Sequence, residues 1–184
     1  MPIKPQWRKL NRSPSHRQSL FRNIVSSLII HESIQTTFSK AKESQKIAEK
    51  LITYAKKGFD NRSAYKYVQS IKPKVTIPKL YEILKKRFSE RSGGYTRVLR
   101  LPPRKSDSAP MAILEYIDGP KDIRLLMTAK TMINIEDSNI KTSKITMKNI
   151  EKVTHFQKEN LATFKNTIIQ LRNFFNKKKT LNTL

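Results

Sequence analysis

Cysteine is absent from this 184-residue chain, and no apolar run reaches the length of a membrane span. The lack of cysteine excludes disulfide bonds, thiolate nucleophiles and zinc sites built on thiolates. A membrane-spanning helix needs roughly 20 consecutive apolar residues, so we expect no membrane span. His16, His31 and His155 lie far apart and lack metal-ligand spacing, and we therefore expect no metal and no other cofactor.

Acidic residues are scarce: 14 Asp and Glu stand against 38 Lys and Arg, which gives a formal net charge of +24. No pair of carboxylates is arranged for acid–base catalysis, so the composition argues against an enzyme. An excess of positive charge this large indicates a polyanionic partner, with nucleic acid ahead of an anionic membrane surface. Hydrophobic residues make up 37% of the chain, which is enough for a folded core.

The first thirty residues contain no acid, and the first carboxylate is Glu32. Three prolines interrupt residues 1–14, which predicts a basic RNA-binding arm, and the apolar spacing that follows predicts a helix from about Ser15 to His31. Arginine, histidine and asparagine side chains at such a helix start suit contacts with phosphates and base edges, and the net charge favours this interpretation over a solvated basic face. A basic, acid-free start before an amphipathic helix is also typical of mitochondrial matrix-targeting segments.

The pattern over residues 15–120 predicts an α+β domain, with a small mixed three-stranded sheet packed with about four helices. Strands are expected at residues 34–38, 95–101 and 111–117, because β-branched and apolar residues cluster there. Further helices are expected over about 40–57, over about 61–70, and from about Thr76 to the Ser92-Gly93-Gly94 turn.

A C-terminal extension, residues 121–184, is expected to end in a helix over about 147–176. Apolar residues spaced 3, 4, 3 and 4 apart form a seam along it, and we expect this seam to dock on the protein's own core or on a neighbouring protein. The seam consists of Leu161, Phe164, Ile168, Leu171 and Phe175.

The segment Arg91–Arg97 combines cations with two adjacent glycines. Gly93 and Gly94 permit close approach of the backbone to a phosphate, and Tyr95 is expected to stack on a base or ribose. The glycines alone fit the end of a helix equally well, but the flanking arginines favour RNA.

The proline-rich loop over residues 102–110 separates the last two predicted strands. It is too long for a tight hairpin, so Arg104 and Lys105 are expected to project from the sheet as a second RNA-facing point. A plain surface turn is the alternative.

An ordered set of short motifs resembles the bacterial-type family seventeen of large-subunit ribosomal proteins. The motifs span about residues 8–118 in unbroken order, and their order is more specific than any one of them. They are Arg8-Lys9-Leu10-Asn11-Arg12, His16-Arg17, Arg22-Asn23, Ile34-Gln35-Thr36-Thr37 with Lys40-Ala41-Lys42-Glu43, Leu51-Ile52-Thr53, Arg91 to Arg97, and Asp107-Ser108-Ala109-Pro110-Met111-Ala112.

The resemblance implies a structural protein that binds large-subunit ribosomal RNA near the peptide-exit side, without enzymatic activity. It implies neighbouring large-subunit proteins as partners and no homo-oligomer. The residues that it carries over as RNA contacts are Arg8, Lys9, Asn11, Arg12, His16, Arg17, Arg22, Arg91, Gly93, Gly94, Tyr95, Thr96 and Arg97.

Residues 121–184 have no counterpart in typical bacterial members of that family. Together with the matrix-type N-terminus, they favour a mitochondrial version, located in the matrix on the mitochondrial ribosome. The alternative from a different class is a DNA-binding architectural protein of the nucleoid, which would bind any duplex with similar affinity. An RNA-modifying enzyme would need a cofactor loop or catalytic carboxylates, and the sequence shows neither.

Overall fold

A computed structural model describes the protein over residues 8–58, 73–119, 122–138, 141–154, 164–166 and 168–173. The chain divides into two compact units, Met1–Gly119 and Pro120–Leu184. The short helix predicted over residues 61–70 lies outside the described residues.

The first helix, α1 (Pro14–His31), begins with proline, whose fixed φ and missing N–H suit a first turn. Its buried side chains include Phe21, Val25 and Leu28, which follow the helical spacing read from the sequence. It ends at Glu32, a left-handed residue with φ 63° whose N–H bonds to the Leu28 carbonyl. The predicted bounds of this helix are confirmed to within one residue.

The second helix, α2 (Phe38–Lys56), buries one stripe of small and aliphatic side chains, among them Ala48, Leu51 and Ile52. It begins two residues earlier than predicted because Thr37, and not Ser39, occupies the N-cap position. Gly58 follows the helix with φ +74°, as expected for the glycine that ends it.

The third helical segment is composite: α3 (Pro73–Pro78), a π-helical turn (Lys79–Leu84) and α4 (Lys85–Arg87). Pro78 was expected in the first turn, but the helix begins at Pro73 and Pro78 lies inside it. Proline has no N–H for the usual helical bond, and the wider π turn starts at the next residue. Leu80, Leu84 and Phe88 direct this segment into the core.

The sheet contains β1 (Ser33–Thr37), β2 (Thr96–Leu101) and β3 (Met111–Tyr116), in the order β1-β3-β2. The α+β class and the three strands are confirmed. The prediction of a mixed sheet is wrong, because β3 pairs antiparallel with both neighbours. Side-chain alternation is the same in parallel and antiparallel strands, so the pattern in the sequence did not carry the strand direction.

The core of the first unit lies among α1, α2, the composite helical segment and the sheet. Leu114 and Ala112 of the central strand are fully buried in it. The ring of Phe88 packs 5.2 Å from that of Tyr95 and 6.1 Å from that of Tyr116, measured between centroids.

The second unit contains α5 (Ile123–Ser138) and α6 (Lys144–Thr154), with further helical residues at 164–166 and 168–173. Asp122 and Ser143 precede the two helices and accept hydrogen bonds from N–H groups of their first turns. α5 was not predicted, and α6 starts three residues before the helix expected from about residue 147. Among the described residues, no helix is both long and apolar enough to cross a membrane.

Candidate RNA-binding surface

Several carboxylates of the first unit are turned inward. Glu32, Glu43 and Glu115 are each less than a tenth exposed, although acidic side chains seldom occupy such positions unless paired. Each is engaged by cations: Glu115 with Arg97 at 2.7 Å, Glu43 with Lys46 at 3.2 Å, and Glu32 with two partners. Each of these three acids is therefore engaged in an ion pair within the protein.

Glu32 joins three parts of the first unit. Its carboxylate accepts two hydrogen bonds from Arg87, at 2.8 and 3.3 Å, and contacts Lys79 at 2.9 Å. Burial by itself would raise the pKa of Glu32, but the hydrogen bonds and charges of Arg87 and Lys79 outweigh it and hold the pKa below the usual value. Its carbonyl accepts the N–H of Tyr116, so the end of α1 is tied to the central strand.

The arm residues turn sharply before α1. Leu10 and Asn11 both have positive φ, at 57° and 50°, and Asn11 tolerates that conformation better than most residues. Arg8, Lys9 and Asn11 are exposed there. Next to this turn, the Arg8 guanidinium lies 3.8 Å from the Glu43 carboxylate of α2.

The first turns of α1 carry the next predicted contacts. The Arg12 guanidinium contacts the ring of His16 one turn later, and His16 is exposed. Arg17 and Arg22 are half-buried further along the helix. His16 therefore lies beside a cation, and no carboxylate bonds to it in the described part of the chain. A catalytic histidine would need such a carboxylate to orient its ring, so this arrangement fits a binding role.

Glu49 of α2 holds the glycine turn, residues 91–97. Its carboxylate accepts hydrogen bonds from the N–H of Tyr95 at 3.1 Å, the N–H of Thr96 at 2.8 Å and the hydroxyl of Thr96 at 2.6 Å. Two turns further along the same face, the Lys56 ammonium donates to the Arg91 carbonyl and lies 5.4 Å from the centre of the Tyr95 ring. Both ends of the turn are thus fastened to one helix.

The stacking role predicted for Tyr95 does not fit this arrangement. Tyr95 is 2% exposed, because its ring fills the core beside Phe88. Its contribution is to anchor the turn from below. Gly93 and Gly94 are exposed at the tip, and Gly94 has φ +64°, a conformation that favours glycine.

The other side chains of the turn are held by ion pairs or hydrogen bonds. Arg91 pairs with Asp118 at 2.8 Å, Arg97 pairs with its cross-strand neighbour Glu115, and Thr96 is fastened to Glu49. Both arginines are about 15% exposed. They fix the turn in place and offer only an edge to a ligand.

The loop over residues 102–110 is internally hydrogen-bonded. Arg104 and Asp107 form two bonds of 3.0 and 2.8 Å, and the Asp107 side chain also accepts the N–H of Ala109. The hydrogen bond from Arg104 lowers the pKa of Asp107, with the Ala109 N–H adding to the effect. Arg104 and Lys105 are exposed, as a projecting contact point requires.

The C-terminal seam lies partly within the described residues. Phe164 is buried with Ala129 and Val153, and Ile168 and Leu171 pack against that cluster. Leu161 and Phe175 lie outside the described residues. The seam therefore packs on the core of its own unit at these three positions, and its contact with a neighbouring protein stays a prediction.

Glu49 and Lys56 were missed in the sequence. Their partners lie 35 to 47 residues away, and no local pattern in α2 marks them. Within the described ranges, no group of three or more His, Asp or Glu side chains is arranged to hold a metal ion.

Comparison with known proteins gives a consistent set of relatives. A family model described as Ribosomal protein L17 matches residues 20–117. The "Large ribosomal subunit protein bL17m" of Schizosaccharomyces pombe is 49% identical over 160 residues, which cover 86% of this chain and 77% of that protein. The protein of the same name from Neurospora crassa is 45% identical over 170 residues, covering 91% and 87%. The bacterial "Large ribosomal subunit protein bL17" of Dinoroseobacter shibae is 44% identical over 118 residues, covering 64% and 85%.

The two fungal matches are longer than the first compact unit, which ends at Gly119, so they extend into the second. The bacterial match, at 118 residues, is no longer than the first unit.

Proposed function

Since this chain belongs to the ribosomal protein L17 family, we propose that it is a structural constituent of the large subunit of the mitochondrial ribosome and that it binds and organises large-subunit ribosomal RNA. The expectation of a non-enzymatic role is confirmed by these relatives, which are all named as ribosomal proteins. A nucleoid DNA-binding role has no support among them.

One observation carries the RNA-binding role: the first unit presents cations from three separate segments, while three of its acids, Glu32, Glu43 and Glu115, are buried in ion pairs. The arm and α1 contribute Arg8, Lys9, Arg12 and Arg17, and the strand-connecting loop contributes Arg104 and Lys105. Flexible cations on a rigid base follow a phosphate backbone without reading its sequence. The fold then serves to hold the contact points at fixed distances, which is how such a protein organises RNA.

We assign the RNA contacts to the residues that the sequence indicated, and we divide them into residues that touch the RNA and residues that position the glycine turn. The RNA is contacted by the arm residues Arg8, Lys9, Asn11 and Arg12, the α1 residues His16, Arg17 and Arg22, the glycines Gly93 and Gly94, and the loop residues Arg104 and Lys105. Arg91, Thr96 and Arg97 contribute mainly by fixing the glycine turn, and Tyr95 supports it from the core.

The protein acts as one copy beside other large-subunit proteins, near the peptide-exit side of the particle. The second unit contacts those neighbours, since the fungal mitochondrial relatives share part of it and the bacterial match does not extend through it.

Sedimentation of the tagged protein from purified mitochondria tests this function. Density gradients at moderate and high salt should show it migrating with large-subunit ribosomal RNA in both. Migration with the nucleoid, or as free protein at moderate salt, would overturn the proposal. Chemical cross-linking of the isolated subunit then tests the exit side, where cross-links to proteins that line the tunnel mouth are expected.

A further inference from the structure

An open groove of about 570 Å³ lies beside α2 in the first unit. Arg8 of the arm and Gly94 of the glycine turn both line it, although they are 86 positions apart in the sequence. Between them lie Lys42, Gln45 and Lys46 of α2. The arm and the turn, which the sequence presents as separate motifs, therefore border one surface.

The two carboxylates that line the groove are already engaged within the protein. Glu43, 4% exposed at its side chain, pairs with Lys46 at 3.2 Å and with Arg8 at 3.8 Å. Glu49 accepts three hydrogen bonds from Tyr95 and Thr96. Both acids are therefore engaged, and the lining has three cations, Arg8, Lys42 and Lys46, against two acids. Arg8 and Lys46 remain about half exposed while they pair with Glu43. Lys42 and Lys46 stand one helical turn apart on the same side of α2.

The glycine turn leaves its backbone open to a ligand. A Cβ built on Gly93 or Gly94 would meet no atom within 4 Å, so space lies beside the backbone at both positions. A phosphate or ribose approaches such a backbone more closely than it would approach one that carries side chains.

We propose that this groove holds one single-stranded segment of ribosomal RNA, and that Lys42, Gln45 and Lys46 contact it together with Arg8 and the glycine turn. The proposal rests on the RNA-binding function above and gives it a location. The lysines neutralise phosphates, and the Gln45 amide is suited to a ribose hydroxyl or a base edge. The groove is open at the surface, and its volume of about 570 Å³ leaves room for one or two nucleotides.

The test compares two matched double variants of the full chain. Lys42→Ala with Lys46→Ala removes two cations from the groove. Lys50→Ala with Lys57→Ala removes two exposed cations of the same helix region that do not line it. Binding to a transcript of the mitochondrial large-subunit ribosomal RNA is measured by fluorescence anisotropy across a salt series, and thermal unfolding is measured for all three proteins. Lys42→Gln with Lys46→Gln repeats the charge loss with longer side chains if the alanine variant unfolds early.

For single strands, each neutralised phosphate contributes about 0.7 to the slope of log affinity against log salt. The slope for the variant with Lys42→Ala and Lys46→Ala should be shallower than that of the wild type by about 1.4. The slope for the control variant should change by less than half of that amount. Equal slopes for the two variants would overturn the groove proposal and leave the function intact. A wild-type protein that does not bind the transcript would overturn both.

Ultraviolet cross-linking of the wild type to a transcript containing 4-thiouridine tests whether one strand is involved. Peptides containing residues 8–12, 42–46 and 93–97 should carry nucleotides that lie within a few positions of one another in the RNA. Cross-links to separate regions of the RNA, or none on the α2 peptide, would overturn the single-strand assignment.

Discussion

At the residue scale, the first unit has side chains that are proposed to contact RNA and other side chains that hold those contacts in place. Glu49 belongs to the second kind. An unpaired carboxylate in a basic surface would repel phosphates, but the Glu49 carboxylate is bonded within the protein. Its three hydrogen bonds all go to Tyr95 and Thr96, directly after the glycine tip.

Glu49→Ala should lower the free energy of unfolding by about 2–3 kcal/mol, because two partly buried N–H groups and a hydroxyl lose their acceptor. Glu82→Ala is the matched control, since it removes the same charge from an exposed position and should cost less than about 0.5 kcal/mol. Urea titration followed by circular dichroism measures both. Similar losses of unfolding free energy for the two variants would show that the hydrogen bonds accepted by Glu49 do not stabilise the fold.

The two glycines of the turn offer a second comparison at this scale. Gly94→Ala should cost about 1–2 kcal/mol, because alanine is strained at φ +64°. Gly93→Ala should cost less, because no positive φ or close contact constrains that position. The same urea titration distinguishes them, and equal costs would argue against a left-handed residue at 94.

At the element scale, the Glu32 carboxylate fastens the end of α1 to the composite helical segment through Lys79 and Arg87. Gly119 completes this junction, since a Cβ there would lie 2.6 Å from the carboxylate and 2.9 Å from the guanidinium. The ion pairs are largely shielded from water, so the loss of one partner is costly.

Glu32→Gln should therefore destabilise the protein by about 3 kcal/mol at pH 7. The pKa of Glu32 is lowered in the folded state, so its contribution is present above the usual value of 4.5 and is lost as the pH falls below it. The difference in unfolding free energy between wild type and variant, measured by urea titration, should become smaller as the pH falls from 5 to 3. A difference that stays constant across this range would mean that Glu32 does not ionise as described.

Elements formed from neighbouring residues were the ones that could be predicted from the sequence. Gly58 marks the end of α2 because its backbone preference acts locally, and the start of α1 and the three strands were placed to within one residue. Contacts over long distances in sequence could not be predicted: the burial of Tyr95 depends on Phe88 and α2, and the antiparallel pairing of β1 depends on a strand more than 70 positions later. The proposed RNA contacts were indicated by their charge, whereas Glu49 and Lys56, which hold the glycine turn, were not predicted.

At the scale of the whole molecule, the two units differ in what their surfaces offer. Both units are basic, with a net charge of +16 over residues 1–119 and +8 over residues 120–184. The second unit also exposes large apolar side chains, among them Met127 and Ile145, which are 64% and 74% exposed. Exposed apolar groups of this size suit protein neighbours better than phosphates.

A chain ending at Gly119 should keep its affinity for the ribosomal RNA transcript within about threefold, which is less than 1 kcal/mol. It should lose cross-links to neighbouring proteins in the assembled subunit. Fluorescence anisotropy measures the first and cross-linking mass spectrometry the second, with a chain lacking residues 1–13 as the opposite control. A tenfold loss of RNA affinity on removing residues 120–184 would move the main RNA contact to the second unit.

The strand order also governs when this fold is able to form. β3 is the middle strand of the sheet but the last of the three to be synthesised, and β1 and β2 bond to it and not to each other. Neither earlier strand has a partner until residue 116 has been made, so roughly two thirds of the chain is translated before the sheet exists. Such delayed, long-range pairing slows folding.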